Sequence, residues 1–392
     1  MIALALALLV AGADPDRGAG SPWAIPATGD DTGLFLGAQL FTSVDATFVD
    51  TAPDTVLPAF RLDRLEVGGG GLWQRRLGGL WRMETIRSAT PQSAFGIDGN
   101  SLLPRLRLAY GVVRGGLALA GVDVDIEARV GLVPEPWLET LERRLGARGL
   151  LPLPSERAGL LSVSDLGVTV DIDVGDGAVD VRAFVGNGEG HTELERNASK
   201  NVGAVVVVVP VVVDVLGGPL ALGGQLGGRY GTLGVADVAD HRAQAALFAS
   251  HPRLRVGLEA AAGFGFQQRA APRPVVAGGF VDAVIVPGWL GVALRGDTGS
   301  VDSAVVGSTT SRGLLALFCD LGLQPGATTH SHAGRARLSG GLEGVVVGVA
   351  TGPVPGVPSA GRALRAFVQL EVTGLTDIVD LAARGAVDRG RR

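Results

Sequence analysis

Between Leu166 and Val185 the side chains change polarity at almost every step. Val168, Val170, Ile172 and Val174 alternate with Thr169, Asp171 and Asp173. After Gly175-Asp176-Gly177, Val179, Val181, Ala183 and Val185 alternate with Asp180, Arg182 and Phe184. Successive side chains of a strand point to opposite sides, so a period of two demands strands with one apolar and one polar face. Glycine and aspartate at the bend supply the positive φ of a tight hairpin. A polar segment (186–201) leads to a valine-rich stretch ending at Pro210, and a Gly-Pro turn leads to another alternating run, Leu220 to Tyr230. Long polar loops alternate with short turns, the rhythm of an antiparallel up-and-down barrel whose apolar face meets lipid.

The same pattern recurs along the chain. In 34–49, Leu36, Ala38, Leu40, Val44, Ala46 and Phe48 oppose Gln39, Ser43, Asp45 and Thr47. In the strand expected at 116–130, Val122, Val124, Ile126, Ala128 and Val130 oppose Asp123, Asp125, Glu127 and Arg129. In 362–372, Leu364, Ala366, Val368, Leu370 and Val372 oppose Arg365, Phe367, Gln369 and Glu371. Further strands are expected at 61–71, 72–87, 105–113, 253–266, 275–286, 289–296, 313–322, 334–339 and 341–351, and the Gly68 to Gly71 run is expected to mark a bend or bulge. The expected count is about 16, within 14 to 18. Residues 231–251 read as a loop with room for a short helix. Residues 134–154 break the alternation, and Trp137, Leu138, Leu141 and Leu145 fall at helical spacing. That helix enters the lumen, covers a barrel mouth or lies on the rim; the spacing leaves all three open.

Two features place the strands in a membrane. The polar faces carry too many charges for a dry core, while the apolar faces need a partner that the chain does not otherwise supply. A closed barrel pairs every backbone group in lipid, as a lone helix does. The longest apolar stretch beyond the N-terminus, Val202 to Val213, is shorter than the ~20 residues of a spanning helix, is β-branched, and contains Pro210. It is expected to be two strand ends meeting at a turn, with Pro210 outside the ladder. Runs apolar on both faces, Leu314 to Phe318 and Val345 to Val349, also fit a soluble β-sandwich, the main structural alternative.

Ile2 to Val10 are apolar and precede Ala11-Gly12-Ala13, which marks 1–13 as a signal peptide cut before Asp14. A Gly-, Pro- and Asp-rich lead-in, 14–33, precedes the barrel, 34–372, and a tail, 373–392, follows it, with helical spacing at Ile378, Leu381 and Ala382. The sole lysine is Lys200, the formal charge is −5, and no basic cluster argues for nucleic acid. Cys319 is the only cysteine and reads as a packed strand residue. His330 and His332 lack the further ligands that a metal needs. Asp237, Asp240 and His241 lack an activated nucleophile. Asn197-Ala198-Ser199 is a sequon of the kind that chance supplies. The chain is therefore read as a non-enzyme without metal or cofactor.

Pore-lining candidates follow from the polar faces: Asp123, Asp125, Glu127, Arg129, Asp180, Arg182, Arg365, Gln369 and Glu371. The function expected is passive diffusion of small polar or ionic solutes. A plugged structural or adhesive barrel and a secreted soluble β protein are the competing readings.

Several short stretches carry a resemblance. They are Phe184-Val185-Gly186-Asn187-Gly188-Glu189-Gly190, the strand from Asn201 to Pro210, and Leu222-Gly223-Gly224 with Tyr230-Gly231. Arg253-Leu254-Arg255-Val256-Gly257, Gly279-Phe280-Val281 with Pro287 and Arg295-Gly296-Asp297, and the closing Arg365 to Val372 complete the set. Over roughly 34–372 the sequence resembles the phosphate-selective porin family of bacterial outer membranes. The resemblance implies a 16-stranded, commonly trimeric barrel in outer-membrane lipid, passing small anions through a lumen lined by basic residues. Arg129, Arg182, Arg255, Arg295 and Arg365 lie on polar faces beside acidic residues, so the sequence leaves the sign of selectivity open.

Overall fold

The computed structural model describes residues 32–49, 52–73, 76–87, 102–145, 152–175, 177–188, 190, 200–232, 239, 241–265, 272–287, 289–320, 332–348 and 361–377. Sixteen strands follow the chain: β1 Thr32–Val49, β2 Ala52–Trp73, β3 Leu77–Arg87, β4 Leu102–Leu119, β5 Val122–Pro134, β6 Ser164–Val174, β7 Val179–Gly186 and β8 Asn201–Val215. Then come β9 Gly218–Tyr230, β10 His241–His251, β11 Leu254–Phe264, β12 Val275–Val286, β13 Leu290–Ser300, β14 Thr309–Asp320, β15 His332–Val347 and β16 Gly361–Asp377. Two helices, α1 Pro136–Leu145 and α2 Pro154–Arg157, lie between β5 and β6.

Each strand pairs antiparallel with its neighbours in sequence, and β1 also pairs with β16, from Phe35 opposite Asp377 to Val49 opposite Ala363. The sheet thereby closes and has no free edge, which sets aside the two-sheet sandwich. Ala120-Gly121, which divides the run expected as one strand at 116–130, Leu216-Gly217 and Pro252-Arg253 are tight turns at one end of the barrel, and most of the longer connections lie at the other. The outer face is apolar: Leu34, Leu36, Val44, Val168, Ile172, Val206, Leu226, Leu258, Leu294, Leu317, Leu342 and Val368 are all exposed. Such a surface needs lipid, and closure satisfies the backbone there. Among the described residues no helix is long and apolar enough to cross a membrane.

Several expectations change. The segment read as a loop at 231–251 contains β10. Its outward face is built from His241, Ala243, Ala245, Leu247 and Ala249, too weakly apolar to show alternation. Val202 to Val213 is not two strand ends but one strand. Val208 pairs with Gly224 and Val211 with Leu222, so Val209 and Pro210 together oppose Gly223 in a bulge. Pro210, lacking an N–H, is outside the ladder there. Residues 334–339 and 341–351 are not two strands: β15 runs through Gly340-Gly341 unbroken to Val347. One strand missed and one counted twice left the total at sixteen. The Gly68 to Gly71 run pairs regularly with Gly37 to Leu34; the register of β2 shifts at Asp63 and again between Ala52 and Val56 instead. The barrel also exceeds its expected bounds, from Thr32 to Asp377. The signal peptide, the tail's helical spacing, the sequon, His330, Asp237 and Asp240 lie outside the described residues. Cys319 sits in β14 opposite Leu290, half-buried.

Candidate channel lumen

The lumen is organised by the segment between β5 and β6, which folds inward. Its neck is closed by the Glu135 N–H donating to the Val163 carbonyl at 3.0 Å. Pro136 starts α1 where a missing N–H costs nothing. The spacing of Trp137, Leu138 and Leu141 makes one apolar stripe, and all three are buried. With Leu153, Leu160 and Leu161 they pack on the inward faces of Val205, Val207, Val209, Ala221, Ala246, Phe248, Ala261, Val276 and Phe280. At about 2 kcal/mol per large apolar side chain, this contact holds the segment firmly against β8–β12.

The wall is shaped to receive it. A Cβ on Gly227 would come within 2.9 Å of the Trp137 ring, and one on Gly278 within 2.7 Å of Pro154 Cγ. Glu259 on β11 supplies the polar anchor. Its Oε1 accepts from Trp137 Nε1 at 2.8 Å and from Ser155 Oγ at 2.5 Å, and its Oε2 from the Ser155 N–H at 3.4 Å. Gln225 Nε2 donates to the Trp137 carbonyl at 3.1 Å, and Arg242 Nε to that of Leu160 at 3.1 Å. The helix expected in 134–154 thus lies inside the barrel, on its inner wall.

The polar side of the segment meets charges at both ends. Glu139 Oε2 accepts from Arg129 Nη1 at 2.7 Å and from Arg182 Nη1 at 2.6 Å. Arg129 also meets Glu127 and Asp171, Arg114 meets Glu127, and Arg182 meets Asp171 and Asp180. At the other end Arg157 of α2 reaches Asp297 at 3.0 Å and pairs with Glu343. Glu343 in turn accepts from Arg365 at 3.2 Å, and Arg365 Nε donates to Asp45 at 2.8 Å.

The wall opposite is built differently. In a closed ring of sixteen strands, β2–β4 face β10–β12. There Glu66 meets Arg107 at 2.6 Å, Arg82 at 3.3 Å and Arg64 at 3.7 Å, while Glu84 meets Arg105 at 2.5 Å and Arg107 at 3.0 Å. Among these residues four arginines share two glutamates. A bulge makes this arrangement: Arg82 pairs with Leu108 and Met83 with Leu106, so Arg107 is the extra residue and turns inward beside Arg105. The arginine side chains furthest out of the cluster, Arg105 at 30% and Arg64 at 20% exposed, reach the lumen water.

Of the residues read from the sequence, Glu127, Arg129, Asp180 and Arg182 come together beneath α1. Arg365, Gln369 and Glu371 share the inward face of β16, where Glu371 accepts from Gln39 Nε2 at 3.4 Å. Asp123 and Asp125 stand exposed near the Ala120-Gly121 turn. Arg64, Glu66, Arg82, Glu84, Arg105, Arg107, Glu139, Arg157, Glu259 and Glu343 were missed as lumen residues. Arg64-Leu65-Glu66, Arg82-Met83-Glu84 and Arg105-Leu106-Arg107 carried the signal: each puts two charges on one strand face.

Comparison with known proteins decides the fold. No family model matches the sequence, and no curated relative matches it. Solved structures do match. An anion-selective porin from Comamonas acidovorans is 15% identical, with 88% of this chain covering 100% of that one at a TM-score of 0.54. The outer-membrane channel DcaP of Acinetobacter baumannii is 9% identical over 89% and 99% at 0.51, and OmpF of Salmonella typhi 10% identical over 87% and 98% at 0.50. The fold is that of outer-membrane porins. At these identities the likeness is one of fold, and the phosphate-selective family is not singled out. Within that fold the inserted segment packs on the inner face of β8–β12, and the linked ion pairs lie on the inner face of the other strands.

Proposed function

We propose that the chain is a passive channel of the outer membrane for small hydrophilic solutes, with a preference for small anions, inorganic phosphate included. One observation supports the reading: among the described residues of β2–β4, Arg64, Arg82, Arg105 and Arg107 gather around Glu66 and Glu84, across from a segment whose polar edge carries Glu139. In a narrow low-dielectric passage, the sign of wall charge sets which ions concentrate there. The expected pore-lining set is Asp123, Asp125, Glu127, Arg129, Asp180, Arg182, Arg365, Gln369 and Glu371, extended by Arg64, Arg105 and Glu139. Diffusion requires no catalytic step, and the chain is read as a channel and not an enzyme. The resemblance adds a homotrimer, checked by the mass of the detergent-extracted complex.

The test is single-channel conductance of refolded protein in a planar bilayer, with reversal potential under a salt gradient. Discrete steps with anion preference are expected, moving toward cations in the Arg64→Gln, Arg105→Gln double variant. Folded, inserted protein without steps overturns the reading and leaves a closed structural barrel. An unmoved reversal potential in the double variant removes the wall from selectivity.

A further inference from the structure

Closure removes free edges from the wall but not from what projects past it. On one side β8 pairs with β7 only from Asn201 opposite Gly186 to Val208 opposite Val179, and the Val209 N–H ends that side by donating to the Ala178 carbonyl at 2.9 Å. On the other side β8 stays paired with β9, from Val211 opposite Leu222 to Val215 opposite Gly218. A two-stranded ribbon therefore runs past the end of β7 at the short-turn end, by roughly 17 Å at ~3.4 Å per residue. Its β9 side is covered: the Val215 carbonyl meets His251 Nε2 at 2.9 Å, and a Cβ on Gly218 would lie 3.2 Å from Pro252 Cγ. Its β7 side has no strand partner among the described residues.

The turn fixes the bonding pattern of that open side. Leu216-Gly217 is a two-residue turn, so Val215 and Gly218 exchange hydrogen bonds, as do Val213 with Leu220 and Val211 with Leu222. Val212 and Asp214 alternate with them and point their N–H and C=O groups away from β9. Pro219, which has no N–H to give, stands opposite Asp214, as this pattern allows. The side chains alternate too. Val211, Val213 and Val215 face outward and are exposed; Val212 faces inward against the core around α1, and Asp214 faces inward and is exposed.

Unpaired backbone groups are costly in hydrocarbon, and an exposed strand edge is a template for another strand. An added strand would bond Val212 and Asp214, widen the apolar row of valines, and set a side chain beside the Asp214 carboxylate, where the opposite charge is favoured. A second copy of this edge fits worse. Setting Val212 against Val212 puts Asp214 opposite Pro210, which lacks an N–H; setting Val212 against Asp214 brings two Asp214 carboxylates to diagonal positions on one face.

We infer that the projecting edge of β8, Val211 to Val215, is a docking site at the periplasmic rim for an extended segment of another protein, which adds as a strand and alternates apolar residues beside the valines with lysine or arginine beside Asp214. This rests on the barrel lying in the outer membrane with its short turns in the periplasm, not on its conducting ions.

The experiment is fluorescence anisotropy of a short labelled peptide alternating valine and arginine, titrated with the refolded full chain in phosphatidylcholine nanodiscs and with empty discs. Saturable binding to the chain is expected. It should weaken about tenfold in Val212→Pro, which removes an edge N–H and no bond to β9. It should weaken about threefold in Asp214→Asn. A fully N-methylated peptide, which has no donors for the edge, should lose binding to the unaltered protein, so the result does not depend on how well the proline variant folds. Equal binding of the N-methylated peptide overturns the edge and leaves charge attraction alone. Equal binding of a valine–glutamate peptide overturns the basic partner. Cross-linked chain pairs that Val212→Pro abolishes assign the edge to a second copy and overturn the partner. Absence of saturable binding refutes the site. Conductance of the same preparation is read separately, so a lost site leaves the channel standing and a lost channel leaves the site.

Discussion

The two halves of the barrel wall obey one strand rule and use it oppositely. Along β8–β12 the inward face is dry: Val205, Val207, Val209, Ala246, Phe248 and Val276 are covered by Trp137, Leu138, Leu141 and Leu153. Along β16 and β1–β7 the inward face carries charge, with Glu66, Glu84, Arg105, Arg107, Arg129, Arg182 and Arg365 in linked ion pairs. The outward face is apolar in both. The difference lies in what covers the inner face: protein on one side, water on the other. The inserted segment therefore turns the inner face of β8–β12 into a hydrophobic core with a few polar anchors and leaves the linked ion pairs to the strands beyond it.

The largest expected effect breaks the dry half. Trp137 is 0% exposed and fills the gap over Gly227. Trp137→Ala removes that packing and one donor to Glu259, costing about 3–5 kcal/mol. It should lower the unfolding midpoint of the refolded barrel and raise both conductance and its open-state noise. A conductance equal to wild type would mean that α1 does not bound the water path. Next comes the charged half. Glu66 is buried beneath three arginines, and Glu66→Gln retains an acceptor but loses the charge, costing about 1.5–3 kcal/mol. The same variant should deepen anion preference, read as a larger reversal potential.

The comparison also explains what could be read beforehand. Asp171 to Val174, Val179 to Val185 and Arg365 to Val372 line the charged half, so their two faces differ and the strands were legible, although β16 runs on to Asp377. β8 and β10 belong to the dry half. There Val205, Val207 and Val209 face inward yet look no different from outward Val206 and Val208, and a valine run was taken for two strand ends. In β10 the inward residues are Arg242, Gln244, Ala246, Phe248 and Ser250 and the outward ones mostly alanine, so the strand passed for a loop. The site was legible only in pairs. Arg129 and Arg182 showed their strand face, but their meeting at Glu139 depends on a helix whose insertion no local spacing announces, and the spacing of Arg105 and Arg107 does not show the bulge that places Leu108 on the same face.

A smaller and opposed pair of effects sharpens the contrast across the lumen. Arg105 is partly exposed on the β2–β4 wall, and Glu139 is partly exposed on α1. Arg105→Gln should move the reversal potential toward cations and Glu139→Gln toward anions. Each should change stability by about 1 kcal/mol or less where water screens the pair. Shifts of the same sign in both variants would mean that the two walls do not act on the same ion path.

The smallest effect asks how the two halves sit in the bilayer. Ala120-Gly121 closes β4 to β5 on the charged half, with φ of +52° and +81°. Leu216-Gly217 closes β8 to β9 on the dry half, with φ of +51° and +77°. Both are two-residue turns with two positive φ angles, for which Asn-Gly is the favoured pair. Ala120→Asn should therefore stabilise the barrel by about 0.5–1 kcal/mol with conductance unchanged. Leu216 has the same strain but is large, apolar and 79% exposed. If its turn stands in water, Leu216→Asn should yield the same gain. If it is bathed in lipid, burying an amide there outweighs the relief of strain, and the variant should lose stability in bilayers while gaining it in detergent-free refolding intermediates kept in water. Equal gains at Ala120 and Leu216 put the two rims at one depth. A gain at Ala120 with a loss at Leu216 sets the dry half deeper in the membrane than the half that carries water.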